Sequence, residues 1–335
     1  MERIRIKTTA RLAFCLIDLN GERGRVDGCV GLSLNEPSLE IIATMQNNRP
    51  GLEISSTDCM VNEKMILDTF NSISKYYKNV KGIKIDILKA FSEHLGLGSG
   101  TQMRLSIAAA LNALNNSQND NITLAKQVAR GGTSGIGVWS FKVGGLIIDG
   151  GHSFGVDGEK NSFIPSSISA CSPPALIGRY DFPSAWKILC VSPIVKKRLF
   201  GESEIQLFKK SCPVDRGEVD SICWTILMRL LPAVAEENIF EYNRSIEEIQ
   251  SIGFKRNVWQ GQQPEVKLAK EIMLSAGVRG IGLSSLGSTL FATLPNGEDE
   301  YLIDELSHLF LQSGIEANIW STTGRNIGAD ISPCR

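Results

Sequence analysis

The stretch His94-Leu-Gly-Leu-Gly-Ser-Gly-Thr-Gln-Met103 decides how the rest of the chain is read. It follows an alternating run, Gly82-Ile-Lys-Ile-Asp-Ile-Leu88, that suits a strand. It leads into a pattern with apolar residues at Met103, Ile107, Leu111 and Leu114, the spacing of one helix face. The glycines let backbone N–H groups turn toward a ligand without Cβ obstruction. A helix starting near Ser99 would point its positive end at the same place. Gly96, Gly98, Ser99, Gly100, Thr101 and Gln102 are therefore candidate phosphate-binding residues.

Two more glycine-rich turns stand at similar junctions, Arg130-Gly-Gly-Thr-Ser-Gly-Ile-Gly137 and Gly282-Leu-Ser-Ser-Leu-Gly-Ser288. Together the three suggest one composite polyanion site, to which Ser284 and Ser285 would contribute hydroxyls and Thr133 and Ser134 substrate contacts. The first turn is not a Walker loop, because the Gly-Lys-Ser/Thr ending is missing. Nor is it a dinucleotide fingerprint, since no acidic residue ends a second strand about 20 residues later.

The 335 residues suffice for two domains, and a net charge of −1 offers no field for nucleic acid or an anionic membrane. The basic cluster Lys196-Lys197-Arg198 reads as a solvated loop. No run approaches the roughly 18 apolar residues of a membrane span, and the first residues lack the apolar core of a secretory signal. A cytoplasmic protein is the expectation. The cysteines form no Cys-x-x-Cys pair, and the three histidines are too scattered for a metal cage. Cys15 and Cys190, set in apolar strands, read as buried thiols.

In chain order, strands are expected over 10–19 and 39–43, separated by a loop at 20–31 in which Arg25 and Asp27 would face a polar ligand. Helices follow over 62–79, 99–114 and 122–130, with a strand at 145–149 ending in Gly150-Gly-His-Ser153. The Ser-, Pro- and Gly-rich segment 154–184 is the natural boundary between an N-terminal domain (1–170) and a C-terminal one (185–335). The second half opens on a strand at 186–192 and continues with helices at 202–210, 215–235, 239–252 and 265–276. The helix at 215–235 reads as broadly buried, with Cys223, Leu227 and Val234 widening its apolar face. A closing unit of strand (278–283), glycine loop, strand (289–294), helix (299–313) and strand (315–321) ends the chain. This irregular mixture indicates an α+β fold of two domains.

Gly96-Leu-Gly-Ser-Gly-Thr-Gln102 resembles the central phosphate motif of the GHMP kinase superfamily. A non-kinase branch, the beta-ribofuranosylaminobenzene 5′-phosphate synthases of methanopterin biosynthesis, is similar over more blocks. These are Leu16-Ile-Asp-Leu-Asn-Gly21, Gly24-Arg-Val-Asp-Gly28, Gly96–Gln102, Arg130–Gly137 and Asp149-Gly-Gly-His152. The C-terminal loop departs from the synthase pattern at Leu283, Leu286 and Ser288, where Gln, Trp and Pro are usual, so the acceptor wall differs.

The resemblance implies a mixed-sheet N-terminal domain, a ferredoxin-like C-terminal domain and a pentosyl transfer. Phosphoribosyl pyrophosphate would condense with 4-aminobenzoate or 4-hydroxybenzoate, and carbon dioxide and pyrophosphate would leave as a C-riboside forms. Departure of pyrophosphate calls for cations and dipoles, with Mg²⁺ expected, and for a carboxylate near the developing oxocarbenium carbon. Asp18 and Asp27 are the candidate carboxylates, Arg25 a bidentate anion ligand and His152 a substrate contact; the ligands of Mg²⁺ are unknown. Asp27→Asn would on this basis abolish turnover while sparing stability.

Two other readings stay open. Many GHMP kinases carry an aspartate in the second glycine-rich segment as a base for the accepting hydroxyl, whereas Gly132-Thr-Ser-Gly-Ile-Gly137 has no acid. An ATP- and Mg²⁺-dependent small-molecule kinase and a non-catalytic ligand-binding protein are the alternatives. The apolar helix at 215–235 would serve either the core or a homodimer interface.

Overall fold

The computed structural model describes residues 2–46, 51–56, 61–77, 82–196 and 201–334; Cys59, Lys197 and Arg198 lie outside them. Its first half is built on a long hairpin of β1 (Arg3–Asp18) and β2 (Arg25–Gln46). The loop expected over 20–31 is shorter than that, because β2 begins at Arg25. The chain reverses within Leu19–Gly24, helped by positive φ at Gly21 (79°) and Gly24 (75°). Glycines concealed the strand's start, yet they belong to it. A Cβ on Gly31 would lie 2.3 Å from the Leu12 carbonyl oxygen of β1, so that strand position has no room for a side chain.

Around this hairpin the sheet grows by β3 (Leu52–Ser56), β4 (Gly82–Lys89), β5 (Leu146–Asp149), β6 (His152–Ser153) and β7 (Leu176–Tyr180). All pairings are antiparallel except β3 with β4. Strand β7 lies inside the segment expected to be a linker, so 154–184 contributes to this sheet. The helices α1 (Glu63–Ser74), α2 (Ser99–Leu114), α3 (Asn121–Gln127) and α4 (Ile136–Lys142) supply the covering layer. Helix α2 buries both its apolar stripe and its small residues, Ala108 to Ala110, beneath Ile41, Ile83 and Ile85 of the sheet.

In the second half, β8 (Lys187–Pro193) is followed by helices α5 (Glu202–Ser211), α6 (Arg216–Thr225), α7 (Leu231–Ala235), α8 (Ile239–Ser251), α9 (Gly253–Gln260) and α10 (Pro264–Ser275). Then come β9 (Gly282–Leu283), β10 (Leu290–Leu294), α11 (Asp299–Ser313), β11 (Ala317–Thr323) and β12 (Asp330–Pro333). The strands β8 to β11 form an antiparallel sheet in the order β11-β8-β10-β9. Fourth, first, third, second is the ferredoxin-like order that the resemblance implied. The strand expected over 278–283 is confined to its last two residues. Helix α9 was not expected at all; only Ile252 separates it from α8. Strand β12 pairs with β1, so the end of the second unit is part of the first sheet.

The helical stretch at 215–235 runs on without a break, but Ile226–Leu230 is π-helical. Pro232 has no N–H to donate, and a wider turn in which Leu231 N–H reaches the Ile226 carbonyl absorbs that loss. One face is buried through Ile222, Ile226 and Leu230, whereas Leu227 and Cys223 are exposed, contrary to the broadly buried helix expected.

The two units share apolar packing. Phe14 of β1 stacks on Phe291 of β10 with ring centroids 5.1 Å apart, and Tyr242 meets Phe14 edge-on at 6.5 Å. Each fully buried aromatic of this kind stabilises the fold by about 1.5–3 kcal/mol.

The tightest approach between the units involves no side chain. A Cβ on Gly287 would sit 2.1 Å from Gly96 N and 2.2 Å from the carbonyl carbon of Leu95. Gly287→Ala is expected to force these loops apart and to destabilise the protein by about 1–3 kcal/mol. Urea denaturation would measure this, and an unchanged midpoint would contradict the packing described.

Candidate active site

The edge of β1 that faces away from β2 organises the site. Register shifts between Thr9 and Arg11 and between Ala13 and Cys15 mark bulges in β1, which re-aim the residues between them. In this stretch Arg11 N–H donates to the Leu97 carbonyl (3.0 Å), Ala13 N–H to Ser284 Oγ (3.1 Å) and Ser285 N–H to the Ala13 carbonyl (2.8 Å). Ser284 Oγ–H in turn donates to the Gly96 carbonyl at 2.6 Å. The first and third glycine turns are thus bound to one strand and to each other. The second turn joins them through Gln102, whose amide donates to the Gly137 carbonyl (2.9 Å) while its oxygen accepts from Thr8 Oγ (2.5 Å). The composite expected from three separate glycine motifs is a single place in the fold.

These turns open onto a cleft of about 610 Å³. Gly96, Gly98, Ser99, Gly100, Thr101, Thr133, Ser134 and Ser285 all line it. Gly98, at φ 85°, is the N-cap of α2 and brings no capping side chain, which leaves the helix's positive end to the cleft.

The sequence reading did not assign the cations that surround this loop. Arg11, Arg104, Arg130 and Lys255 all line the cleft. Arg11 Nη1 donates to the Gly96 carbonyl, and its buried Nε has no partner. Arg130 Nε donates to Thr101 Oγ1 at 3.0 Å. Burial lowers the pKa values of both Arg11 and Arg130 to about 10, an indication of how far they are removed from water. Lys255 on α9 donates to the carbonyls of Leu283 and Ser285, the latter at 2.7 Å. Arg11 and Arg130 each stood beside a recognised motif; Lys255 lay in the helix that the sequence concealed. Desolvated guanidinium groups close to helix N–H donors make a strong site for a polyphosphate.

Other expected site residues lie outside the cleft lining. Asp18 Oδ1 accepts from the N–H groups of Asn20 (2.7 Å) and Gly21 (3.1 Å) and so closes the β1–β2 turn. Arg25 clamps the carbonyls of Gly150 (2.5 Å) and Gly151 (3.1 Å). Gln102 and Ser284 are fully buried in the contacts between turns.

Asp27, at φ 66°, is also buried. Its Oδ2 accepts from His152 Nδ1 (2.6 Å) and Lys160 Nζ (2.8 Å). Lys160 Nζ also donates to Thr133 Oγ1 at 2.9 Å, which ties this network to the second glycine turn. His152 Nε2 lies 2.9 Å from the Ser172 carbonyl, so both ring nitrogens face acceptors and an imidazolium satisfies both. Burial opposes that charge, but the bonds to Asp27 and Ser172 outweigh it and the pKa is raised. Behind the same turn, Asp149 accepts from the N–H groups of Gly135 (2.8 Å) and Gly151 (3.1 Å). Burial pushes its carboxyl up to about 7. Asp27, His152 and Asp149 therefore form a foundation under the second turn, where sequence reasoning had placed Asp27 and His152 on the substrate.

Solved structures of the same fold include the homoserine kinase of Cytophaga hutchinsonii, at a TM-score of 0.68 and 15% identity over 99% of this chain and 98% of that one. The phosphomevalonate kinase of Streptococcus pneumoniae aligns at a TM-score of 0.67 and 15% identity over 96% and 99%. Residues 64–145 match the family described as the GHMP kinases N terminal domain. The chain thus has the GHMP kinase fold, with a GHMP-type N-terminal domain over the matched residues. Among curated relatives, the Beta-ribofuranosylphenol 5′-phosphate synthase of Methanothermobacter thermautotrophicus is 38% identical over 291 residues, 86% of this chain and 87% of the relative. The protein of the same name from Methanocaldococcus jannaschii is 36% identical over 339 residues, covering 97% and 99%. The chain belongs to the beta-ribofuranosylphenol 5′-phosphate synthase family.

Two outcomes follow from the buried network. Asp27→Asn would leave Lys160 and His152 without their shared carboxylate, so it should cost about 3–5 kcal/mol of stability rather than spare it; chemical denaturation of the variant reads this directly. Asp149 in the unfolded chain ionises near its ordinary value of about 4, while the folded protein holds that proton to about pH 7. The native state binds the extra proton between these values, so this group's contribution is fully present below about pH 4 and is lost as pH rises to 7. Midpoint temperatures across that range should fall less steeply for Asp149→Asn than for the parent.

Proposed function

We propose that this chain is a decarboxylating phosphoribosyl transferase, joining phosphoribosyl pyrophosphate to 4-hydroxybenzoate or 4-aminobenzoate with loss of carbon dioxide and pyrophosphate. The observation that carries the reading is the cleft: three glycine turns and Arg11, Arg104 and Arg130 beside an apolar wall that includes Phe208, Phe254 and Leu286. A polyanion and an aromatic ring would find their complements there, side by side. The relatives' name specifies a ribofuranosylphenol 5′-phosphate product, which is what 4-hydroxybenzoate would give.

In this reading the α2 N-terminus and the arginines stabilise pyrophosphate as it departs. The second glycine turn carries no acid, in keeping with a carbon nucleophile that loses carbon dioxide. Among the described residues no group of three His, Cys, Asp or Glu is arranged to hold a metal. Mg²⁺ would therefore enter with the pyrophosphate and draw on Asp68, Glu93 or Glu204, the carboxylates in the cleft lining, to neutralise the leaving group's charge. No described helix is long and apolar enough to cross a membrane. A homodimer is proposed on the exposed Trp224, Leu227 and Met228, which share one face of the α6–π stretch.

The decisive experiment incubates the protein with phosphoribosyl pyrophosphate, Mg²⁺ and each aromatic acid labelled in its carboxyl group. Labelled carbon dioxide released in step with pyrophosphate is expected; ADP formation from ATP with a sugar or alcohol acceptor instead would overturn the assignment. Arg130→Gln should raise the KM for phosphoribosyl pyrophosphate by roughly 10- to 100-fold, the value of one charged hydrogen bond, with a smaller change in the KM for the acid.

A further inference from the structure

Lys255 is the buried cleft cation that the pyrophosphate reading leaves without a task; Lys64, also in the lining, is exposed. Lys255 is 4% exposed, lies on α9 next to Phe254, and reaches the cleft at the apolar wall. Phe254 packs against Phe208 with ring centroids 4.7 Å apart, and Leu286 stands in the same lining. Its hydrogen-bond partners are the backbone carbonyls of Leu283 and Ser285, and no salt bridge among the described residues includes it. A neutral amine spends its two N–H groups on two carbonyls and keeps its lone pair for a third partner. Burial favours that form. Burial lowers its pKa to about 7, and Arg11 adds to the effect; the neighbouring thiols Cys15 and Cys29 act in the opposite sense, yet burial raises their own pKa values and keeps them protonated. The arginines of the cleft cannot serve as bases, and His94 is half-exposed beside Glu93.

We propose that Lys255 is the general base that takes the phenolic proton of a 4-hydroxybenzoate acceptor held against the Phe254–Leu286 wall. This rests on the pentosyl-transfer reading and names the acceptor end of that site. The carbon to be attacked lies para to the hydroxyl, so an acceptor whose hydroxyl meets Lys255 points its carboxyl-bearing carbon away from the lysine. The O–H proton moves to Nζ, and the oxygen's electron pair is released through the ring to that para carbon. The para carbon bonds to the anomeric carbon as the bond to pyrophosphate breaks, leaving a dienone. Cleavage of the carboxylate bond expels carbon dioxide and returns its electron pair to the ring. The resulting phenolate recovers the proton from the ammonium, so the lysine ends as it began. An amino group in place of the hydroxyl pushes electrons through its own lone pair without prior loss of a proton, so 4-aminobenzoate has less need of the base.

The test compares the parent with Lys255→Met and Lys255→Arg, using phosphoribosyl pyrophosphate, Mg²⁺ and two acceptors. One is 4-hydroxybenzoate. The other carries fluorine at both positions beside the hydroxyl, which makes the phenol acidic enough to ionise in neutral solution without help. Both variants should lose roughly 100-fold or more in kcat with 4-hydroxybenzoate, the usual share of a positioned base. Their deficit should shrink by about tenfold or more with the fluorinated acid. That rescue requires a folded protein, so it separates catalysis from misfolding. Equal deficits with both acceptors, or full activity in Lys255→Arg, would overturn the proposal while leaving the pentosyl transfer intact. A parent enzyme that turns over neither acid would remove the functional reading and this proposal together.

Discussion

The whole arrangement depends on backbone meeting backbone where Gly96 faces Ser284 and Gly287. A side chain at either glycine would lie closer than 2.5 Å to main-chain atoms of the other loop, and no rotamer relieves a clash of Cβ with backbone. Because nothing larger fits, the phosphate turn of the first unit and the glycine turn of the second are held as one surface, with the bulged edge of β1 bonded to both. The site is therefore a property of the contact between units, and the aromatic stack of Phe14 on Phe291 lies in the same joint.

The charge distribution follows from that joint. Cations removed from water repel one another and pay desolvation unless something answers them. Around this cleft a backbone carbonyl and a hydroxyl do part of that work: Gly96 for Arg11 and Thr101 for Arg130. Such partners orient a cation without cancelling its charge, which leaves the cleft receptive to a polyanion. The network of Asp27, His152, Lys160 and Asp149 is the converse. Its polar groups satisfy one another and nearby backbone out of solvent, and what they provide is the position of Thr133 and of the second turn.

Legibility in the sequence divided along the same line. Helix α2 has the limits its apolar spacing indicated, and the three glycine turns announced themselves by composition. By contrast, Asp18 and Asp27 look alike in sequence as acids near a glycine-rich stretch. One caps a turn and the other anchors a buried ion network, a distinction made by residues more than a hundred positions away, such as His152 and Lys160. Lys255 was illegible for a related reason: Gly253 reads as the end of a helix, whereas at φ 56° it begins the next one and turns the lysine into the cleft lining.

Local pattern thus determined the elements and the chemistry of the anion turn, because helix spacing, strand alternation and glycine's freedom act over a few residues. The tertiary structure alone decided which polar groups face the cleft and which are consumed as scaffold. Burial and partner choice depend on contacts between segments far apart in the chain, and a carboxylate's role changes completely when a distant lysine and histidine reach it before a substrate does.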